Sequence, residues 1–180
     1  MRLLSIRRGI LDDLDFLVEV DLLNEGYTTS GDMPQNADEA SAHRNKIAAF
    51  LTDEDRGVFI VDNLRQSRIA MIMYSVRNCD IHEDYEIFSE LQRSLFPTDG
   101  RFIQIFQLWV APSRRREGLA TMLKREVEEE AVRRNIGLIY THSEESNSVV
   151  LHLNRRLGYR KVRRGTIWDE VIRVSLVKEL

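Results

Sequence analysis

This sequence has little cysteine, little proline and no long hydrophobic run, and each shortage excludes a class of protein. Its 180 residues include one cysteine and three prolines. Cys79 has no second cysteine with which to form an internal disulfide, which is typical of a protein from a reducing compartment. No apolar run approaches the roughly eighteen residues needed to span a bilayer, and residues 1–8 lack the apolar core of a signal peptide. We therefore expect a soluble, cytoplasmic protein that does not span a membrane.

Acidic and basic side chains nearly balance over the whole chain, whose net charge is −3 at pH 7. Its two parts differ, because residues 1–100 hold 19 acidic and 10 basic side chains, or −9, and residues 101–180 hold 10 and 16, or +6. This difference is either a chance surface bias or a basic side for an anionic cofactor with an acidic side for a cationic partner. The basic residues form no long stripe, which disfavours nucleic acid as a partner.

A hydrophobic content of 43% allows a chain of this length to bury one core, so we expect a single domain over residues 1–180. Gly9 separates a short edge strand from apolar residues at helical spacing, and Asn36 to Glu39 resembles the capping box of a second helix. The predicted strands are 3–8, 57–62, 68–76, 101–110, 138–142, 159–164 and 167–177. The predicted helices are 10–22, 36–51, one within 78–100, one from Leu119 to the break at 135–137, and 147–157.

An acidic insertion at about 78–100 is the most unusual segment. Tyr85, Phe88, Leu91 and Leu95 lie three to four residues apart, which predicts a helix with an apolar stripe that Pro97 ends. Its other faces are acidic, so they are either a solvated helix surface or a selector for cationic acceptors.

The stretch from Gln107 to Thr121 runs from an apolar strand through Pro112 and three arginines into a helix. Gly118 lets a ligand approach the main chain, and Ala120 keeps the next turn small. The unpaired N–H groups at a helix start carry about half a positive charge, so together with Arg115 and its neighbours they favour a polyphosphate.

The spacing Arg115-x-x-Gly118-x-Ala120 after a strand resembles the acetyl-CoA pyrophosphate loop of the GNAT superfamily of N-acetyltransferases. The segment from Asn147 to Tyr159 resembles the second signature of the same superfamily, Asn-x-x-Ala-x-x-Leu/Phe-Tyr-x-x-x-Gly-Phe. The two signatures occur in the expected order with a strand between them. The resemblance implies an α/β (α+β) fold, with a mixed central sheet of about six to seven strands flanked by about four to five helices.

The resemblance also implies acetyl transfer from acetyl-CoA, used as a co-substrate, to an amine, with no metal. Main-chain N–H groups near Leu108 and Val110, where the family has a strand bulge, are expected to hold the carbonyl oxygen and the pantetheine arm, and Asn147 is expected to reach that arm. The pyrophosphate is assigned to the loop and the following helix turn. The full set of predicted cofactor-binding residues is Leu108, Trp109, Val110, Arg115, Arg116, Glu117, Gly118, Leu119, Ala120, Thr121, Asn147 and Asn154.

The residues for proton transfer depart from the family pattern. Asn154 stands where the family often has a tyrosine that protonates the leaving thiolate, and it can donate a hydrogen bond but no proton. Gln104 and Gln107 lie on the strand where the family often has a glutamate base. The remaining base candidates are His142, with Glu144 and Glu145 after it, and the acids of the insertion. The alternative for His142 is an ordinary surface or hydrogen-bonded histidine, which the sequence favours over a catalytic role.

The acceptor is not identified by the sequence. In this family, the loop at 24–34 usually lines the acceptor pocket, which makes Tyr27, Thr28 and Asp32 candidates for acceptor contacts. The first hypothesis is a small cationic amine attacked directly in a ternary complex, without nucleic acid or membrane as partner and with a homodimer possible. The alternatives are a protein N-terminal or lysine acetyltransferase, and a regulatory module that binds acyl-CoA without turnover.

Overall fold

The computed structural model describes residues 4–26, 36–65, 67–81 and 86–180. Its strands are Ser5–Arg8 (β1), Arg56–Asp62 (β2), Arg68–Asn78 (β3), Arg101–Val110 (β4), Leu138–Glu144 (β5), Arg160–Gly165 (β6) and Arg173–Glu179 (β7). They form one sheet in the order β1-β2-β3-β4-β5-β7-β6. The pairing of β4 with β5 is parallel and the other pairings are antiparallel, so the sheet is mixed as predicted.

Four α-helices occur in the described parts of the chain: Leu14–Asn24 (α1), Ala37–Thr52 (α2), Leu119–Arg133 (α3) and Ser148–Arg156 (α4). A 3-10 turn, Leu11–Asp13, precedes α1. Asn36 caps α2 as predicted, but its side chain accepts the N–H of Asp38 at 2.9 Å, one residue earlier than in a capping box. These seven strands and four described helices lie within the predicted ranges of about six to seven strands and about four to five helices.

The helices cover the sheet on two faces. On the α3 face, β-strand residues such as Ile72 and Ile105 pack against Leu123 and Val127 of α3, and Leu151 of α4 lies at the margin. On the opposite face, which we call the α1 face, Met71 and Met73 pack against Leu17 of α1 and against Ile47 and Phe50 of α2. Because β4 is covered on both sides, it is apolar at most positions, as its sequence predicts.

The predicted helix in the insertion is wrong. The described residues of this segment form two 3-10 turns, Glu86–Phe88 and Arg93–Leu95. The apolar spacing is explained by a third cluster on the α1 face, in which Phe88, Leu91 and Phe96 pack against Phe102 and Tyr140. Ring contacts of 4.9 Å for Phe88 with Phe102 and 5.1 Å for Phe96 with Phe102 replace the stripe of a regular helix.

The last strand begins later than predicted, at Arg173 instead of residue 167. Asp169 forms an ion pair with Arg173 and accepts the N–H of Val171 at 2.9 Å, which holds residues 166–172 in a connection between β6 and β7. That connection places Trp168 beside the site described below.

A buried carboxylate joins the edge of the sheet to the start of α1. Asp13 has no exposed side-chain surface and accepts hydrogen bonds from Arg7 at 2.7 Å, Arg68 at 2.5 Å and the N–H of Ile10 at 2.9 Å. Burial alone raises the pKa of Asp13, but these hydrogen bonds hold it well below its usual range. The sequence contains no local pattern that predicts this contact.

Candidate active site

The sheet has an opening between β4 and β5. The parallel pairing of these strands consists of Ile103 with Ile139 and Gln104 with Tyr140. Beyond that point β4 continues to Val110 and β5 to Glu144, but the two strands no longer pair with each other. The edge of β4 that faces β5 therefore has main-chain groups that are available to a ligand.

A bulge lies in β4 at the beginning of this free edge. Met73 pairs with Gln107, whereas the next residue of β3, Tyr74, pairs with Ile105, so Phe106 is an extra residue. The sequence resemblance predicts a bulge near Leu108 and Val110, so the observed bulge lies slightly earlier.

The N–H groups of Leu108 and Val110 point towards the opening. The N–H of Ala111 donates to the carbonyl of Ile69 in β3 at 2.9 Å. Since alternate residues of an antiparallel strand direct their main-chain groups to the same edge, those of Leu108 and Val110 face away from β3. The guanidinium Nε of Arg115 lies 3.5 Å from the carbonyl oxygen of Val110, to which it donates on that side.

The loop after β4 has the backbone geometry of an anion site. Arg116 has a φ of 69° and Gly118 a φ of 84°, so the chain turns sharply twice before α3. The first helical hydrogen bond runs from the N–H of Met122 to the carbonyl of Gly118. The preceding N–H groups, those of Gly118, Leu119, Ala120 and Thr121, have no partner within the helix. A Cβ at Gly118 would meet no atom within 4 Å, so the space in front of these groups is open.

The loop arginines have different environments. Arg114 donates to Glu117 at 2.8 Å, so Glu117 is partly neutralised at the mouth of the loop. Arg115 and Arg116 are exposed beside the helix start. The predicted set therefore contains two cations directly at the loop, and the negative charge of Glu117 is paired with Arg114.

The two asparagines of the second signature have separate positions. Asn147 is the N-cap of α4, where its side chain accepts the N–H of Val150 at 3.2 Å. Asn154 is completely buried, and neither its amide nitrogen nor its amide oxygen has a hydrogen-bond partner. A buried unpaired amide group costs about 1–3 kcal/mol, so Asn154 fits a polar group of a bound ligand. Tyr159, the last residue of the second signature, packs in the core, and burial raises its pKa.

His142 lies on β5 at the other side of the opening. Its ring contacts Trp168 at 5.2 Å and Tyr140 at 6.0 Å, and its Nδ1 is buried without a partner. Burial, together with the charge of Arg173, lowers the pKa of His142 to about 4. The imidazole is therefore neutral at pH 7 but is a weak base.

The α1 face of the opening carries Gln107, which the sequence analysis considered only as a departure from a glutamate base, and Trp168, which it did not consider. Gln107 is 6% exposed, and both atoms of its amide lack a partner. Trp168 is 55% exposed and stacks on Arg173 at 4.2 Å. The bulge at Phe106 places Gln107 on the same face as Met73, and the sequence resemblance predicted the bulge slightly later in the strand.

The sequence profile of the Acetyltransferase (GNAT) family matches residues 21–159, which include β4, the loop, α3, β5 and α4. The chain belongs to this family. Among curated proteins, none matches the chain significantly. This GNAT protein is accordingly an acyl-CoA-dependent N-acyltransferase that uses acetyl-CoA as its co-substrate.

Solved structures share this GNAT fold at low sequence identity. NAA60 from Arabidopsis thaliana, in complex with a bisubstrate analogue, has a TM-score of 0.74 and 15% identity and covers 98% of each chain. The spermidine/spermine N-acetyltransferase SpeG from Vibrio cholerae has a TM-score of 0.63 and 16% identity, with 98% of this chain and 92% of that chain covered. The ribosomal-protein-S18-alanine N-acetyltransferase from Escherichia coli has a TM-score of 0.64 and 14% identity, with 98% and 94% covered.

Several predictions for this acetyltransferase stay predictions. Tyr27, Thr28 and Asp32 lie outside the described residues. Among the insertion acids that are described, Asp80 pairs with Arg93 at 2.8 Å and Glu90 with Arg163 at 2.5 Å.

No described helix is long and apolar enough to cross a membrane. The expected single domain, cytoplasmic location, lack of nucleic-acid partners and possible homodimer are untested.

The expectation that no metal is needed also stays a prediction. In the described part of the chain, Asp21, Glu25 and His43 offer three potential ligand atoms within 4.8 Å of one another. The Nε2 atom of His43 is already 2.8 Å from a carboxylate oxygen of Asp21, so this dyad is satisfied without an ion.

Proposed function

We propose that this protein transfers the acetyl group of acetyl-CoA directly to a primary amine while both substrates are bound. The observation that supports this proposal is the opening between β4 and β5, because the phosphate loop follows β4 and the opening is bordered by Gln107 of β4 and His142 of β5. An amine entering from the α1 face meets the edge of β4 where Leu108 and Val110 present their N–H groups.

The cofactor is held at three places in this proposal. The N–H groups at the start of α3 bind the pyrophosphate together with Arg115 and Arg116, because a helix start favours anions. The free edge of β4 binds the pantetheine amides. Asn154, whose buried amide lacks a partner, donates a hydrogen bond near the sulfur. Bound acetyl-CoA supplies an activated thioester.

Positioning supplies much of the catalysis. Holding an amine next to a carbonyl can remove roughly 7–11 kcal/mol from a barrier. The N–H of Leu108 is assigned to the carbonyl oxygen, where a hydrogen bond stabilises the charge that develops during attack. Leu108 therefore contributes through its main chain, and its side chain packs in the core on the α3 face.

The side chains at this site are poor proton donors and acceptors. Asn154 can stabilise the leaving thiolate by a hydrogen bond, and water completes its protonation. His142 is the base candidate that lies at the opening, and its neutral form can accept a proton from the attacking amine. Its low basicity means that the amine must bind largely unprotonated.

Acetyl-CoA binding and turnover are tested together. At one hundred times its dissociation constant, acetyl-CoA should stabilise the fold by about 2.7 kcal/mol, and thiol release should follow when the correct amine is added. A panel of spermidine, an unblocked peptide and an N-terminally blocked lysine peptide separates the acceptor classes. Stabilisation without thiol release on the panel would instead support the alternative of a non-catalytic acyl-CoA-binding module.

A further inference from the structure

The amide of Gln107 is a buried group with unused hydrogen-bonding capacity. Its side chain is 6% exposed, yet its Nε2 and Oε1 both lack partners. Gln107 pairs across the sheet with Met73, which packs below α1 and α2 on the α1 face. Gln107 lies three residues beyond Gln104, the last residue of β4 that pairs with β5, and so lies on the stretch of β4 that borders the opening. The amide therefore lies beside the path of the acceptor.

A carboxamide offers one acceptor and one donor in a plane, which is the complement of a peptide group. An ammonium group can use only the oxygen of the carboxamide and would leave its nitrogen unpaired. Since a buried polar group without a partner is unfavourable, a ligand with a peptide group satisfies Gln107 better than a polyamine does.

The proton requirements of the reaction lead independently to the same class of acceptor. Gln104 and Gln107 have no basic group, and burial lowers the pKa of His142 to about 4. An alkyl ammonium with a pKa of about 10.4 is almost entirely protonated at pH 7, whereas a peptide α-amine, with a pKa of about 7.7–8.0, is roughly one-tenth free. A site whose base is weak therefore favours a peptide α-amine over an alkyl amine, because a larger fraction of the α-amine is unprotonated at pH 7.

We propose that the acceptor is the free α-amine of a peptide chain, and that Gln107 binds the first peptide group of that chain. The inference rests on the proposed function and narrows its acceptor. Gln107 acts as a binding residue, with its Oε1 accepting the peptide N–H and its Nε2 donating to the peptide carbonyl.

A substrate pair and a variant pair test this assignment. The substrates are a lysine-free hexapeptide with an unblocked N-terminus and its depsipeptide analogue, in which an ester oxygen replaces the first peptide N–H. The variants are Gln107→Met and Gln107→Leu, which both remove the amide. Thermal unfolding and acetyl-CoA titration show that each variant is folded and binds its co-substrate.

For the wild-type protein, we expect kcat/KM to fall about ten-fold from the peptide to the depsipeptide. In Gln107→Met, kcat/KM for the peptide should fall about ten- to hundred-fold, and the difference between the two substrates should disappear. A structural role alone would leave that substrate difference intact.

Three results would overturn the inference: the first two contradict the peptide assignment alone, and the third also contradicts the proposed function. Turnover confined to spermidine or to the blocked lysine peptide, or a Gln107→Met variant that still distinguishes the ester, would contradict the peptide assignment alone. Acetyl-CoA binding without turnover on any acceptor would contradict the proposed function and this inference with it.

Discussion

His142 is held in an environment that disfavours its cation. Burial and Arg173 lower its pKa to about 4, whereas an unfolded histidine has a pKa of about 6.5. The folded state therefore binds fewer protons than the unfolded state between these two values, and its stability rises with pH across that window. At pH 7 the imidazole carries no charge that could repel an incoming cation.

The substitution His142→Gln tests this environment. Lowering the pH from 7 to 4 should cost the wild-type protein about 2–3 kcal/mol more in unfolding free energy than the variant, because only the wild type must keep an imidazole uncharged. Urea denaturation at both pH values measures this difference, and NMR titration gives the pKa directly. A His142 pKa near 6.5, or equal pH dependence of both proteins, would contradict the described burial.

Burial also disfavours the charged form of Lys124. It is 1% exposed, its Nζ has no hydrogen-bond partner, and burial lowers its pKa to about 7. Glu128, one turn later, pairs with Lys178 at 2.7 Å instead. The ammonium lies 4.3 Å from the ring of Tyr159, and this contact offsets part of the cost of burial.

We expect Lys124→Met to raise the unfolding free energy by about 1–3 kcal/mol at pH 6. Because the folded pKa is below the unfolded one, wild-type stability rises with pH between about 7 and 10.5, so the advantage of the variant should shrink by pH 10. Lys161→Met, at an exposed position on β6, serves as the control and should change little. A Lys124→Met protein that is less stable than wild type at pH 6 would show that the ammonium has a stabilising partner.

At the scale of elements, the junction of β4 and α3 defines the cofactor end of the protein. Gly118, at this junction, has a φ of 84° and open space where a side chain would be, so both the turn and the approach of a ligand depend on this glycine. The sequence predicts this junction well, because strand, turn and helix starts have local signals.

Gly118→Val should abolish acetyl-CoA binding in a calorimetric titration, since the added side chain enters the space in front of the helix start. Gly26→Val is a matched control, because Gly26 also has a positive φ, of 92°, and no neighbour within 4 Å. Both variants should lose about 1–2 kcal/mol of stability from backbone strain. Equal acetyl-CoA affinity in the two variants would refute the assignment of the loop.

The insertion shows where element prediction from sequence fails. Its apolar spacing matches a helix, but two 3-10 turns present Phe88, Leu91 and Phe96 to the same cluster on the sheet. Spacing alone reports which side chains face a core. It does not specify the backbone that brings them there.

For the whole molecule, the order of strands and helices was predictable because two signatures and regular periodicities lie along the chain. The environment of the acceptor end could not be predicted from the sequence. The ring of His142 contacts Trp168, and the charge of Arg173 lowers its pKa, although both residues are distant in sequence. Gln107 reaches its face because of a bulge at Phe106. Contacts of this kind depend on tertiary packing and leave no local pattern.

The central claim, direct transfer from bound acetyl-CoA to an amine at the β4–β5 opening, is tested most directly by two-substrate kinetics. Initial rates of thiol release are measured while acetyl-CoA and the unblocked hexapeptide are both varied. The account predicts double-reciprocal lines that intersect, because both substrates must be bound together. Parallel lines, or thiol release that leaves an acetyl group on the protein before the peptide is added, would contradict it.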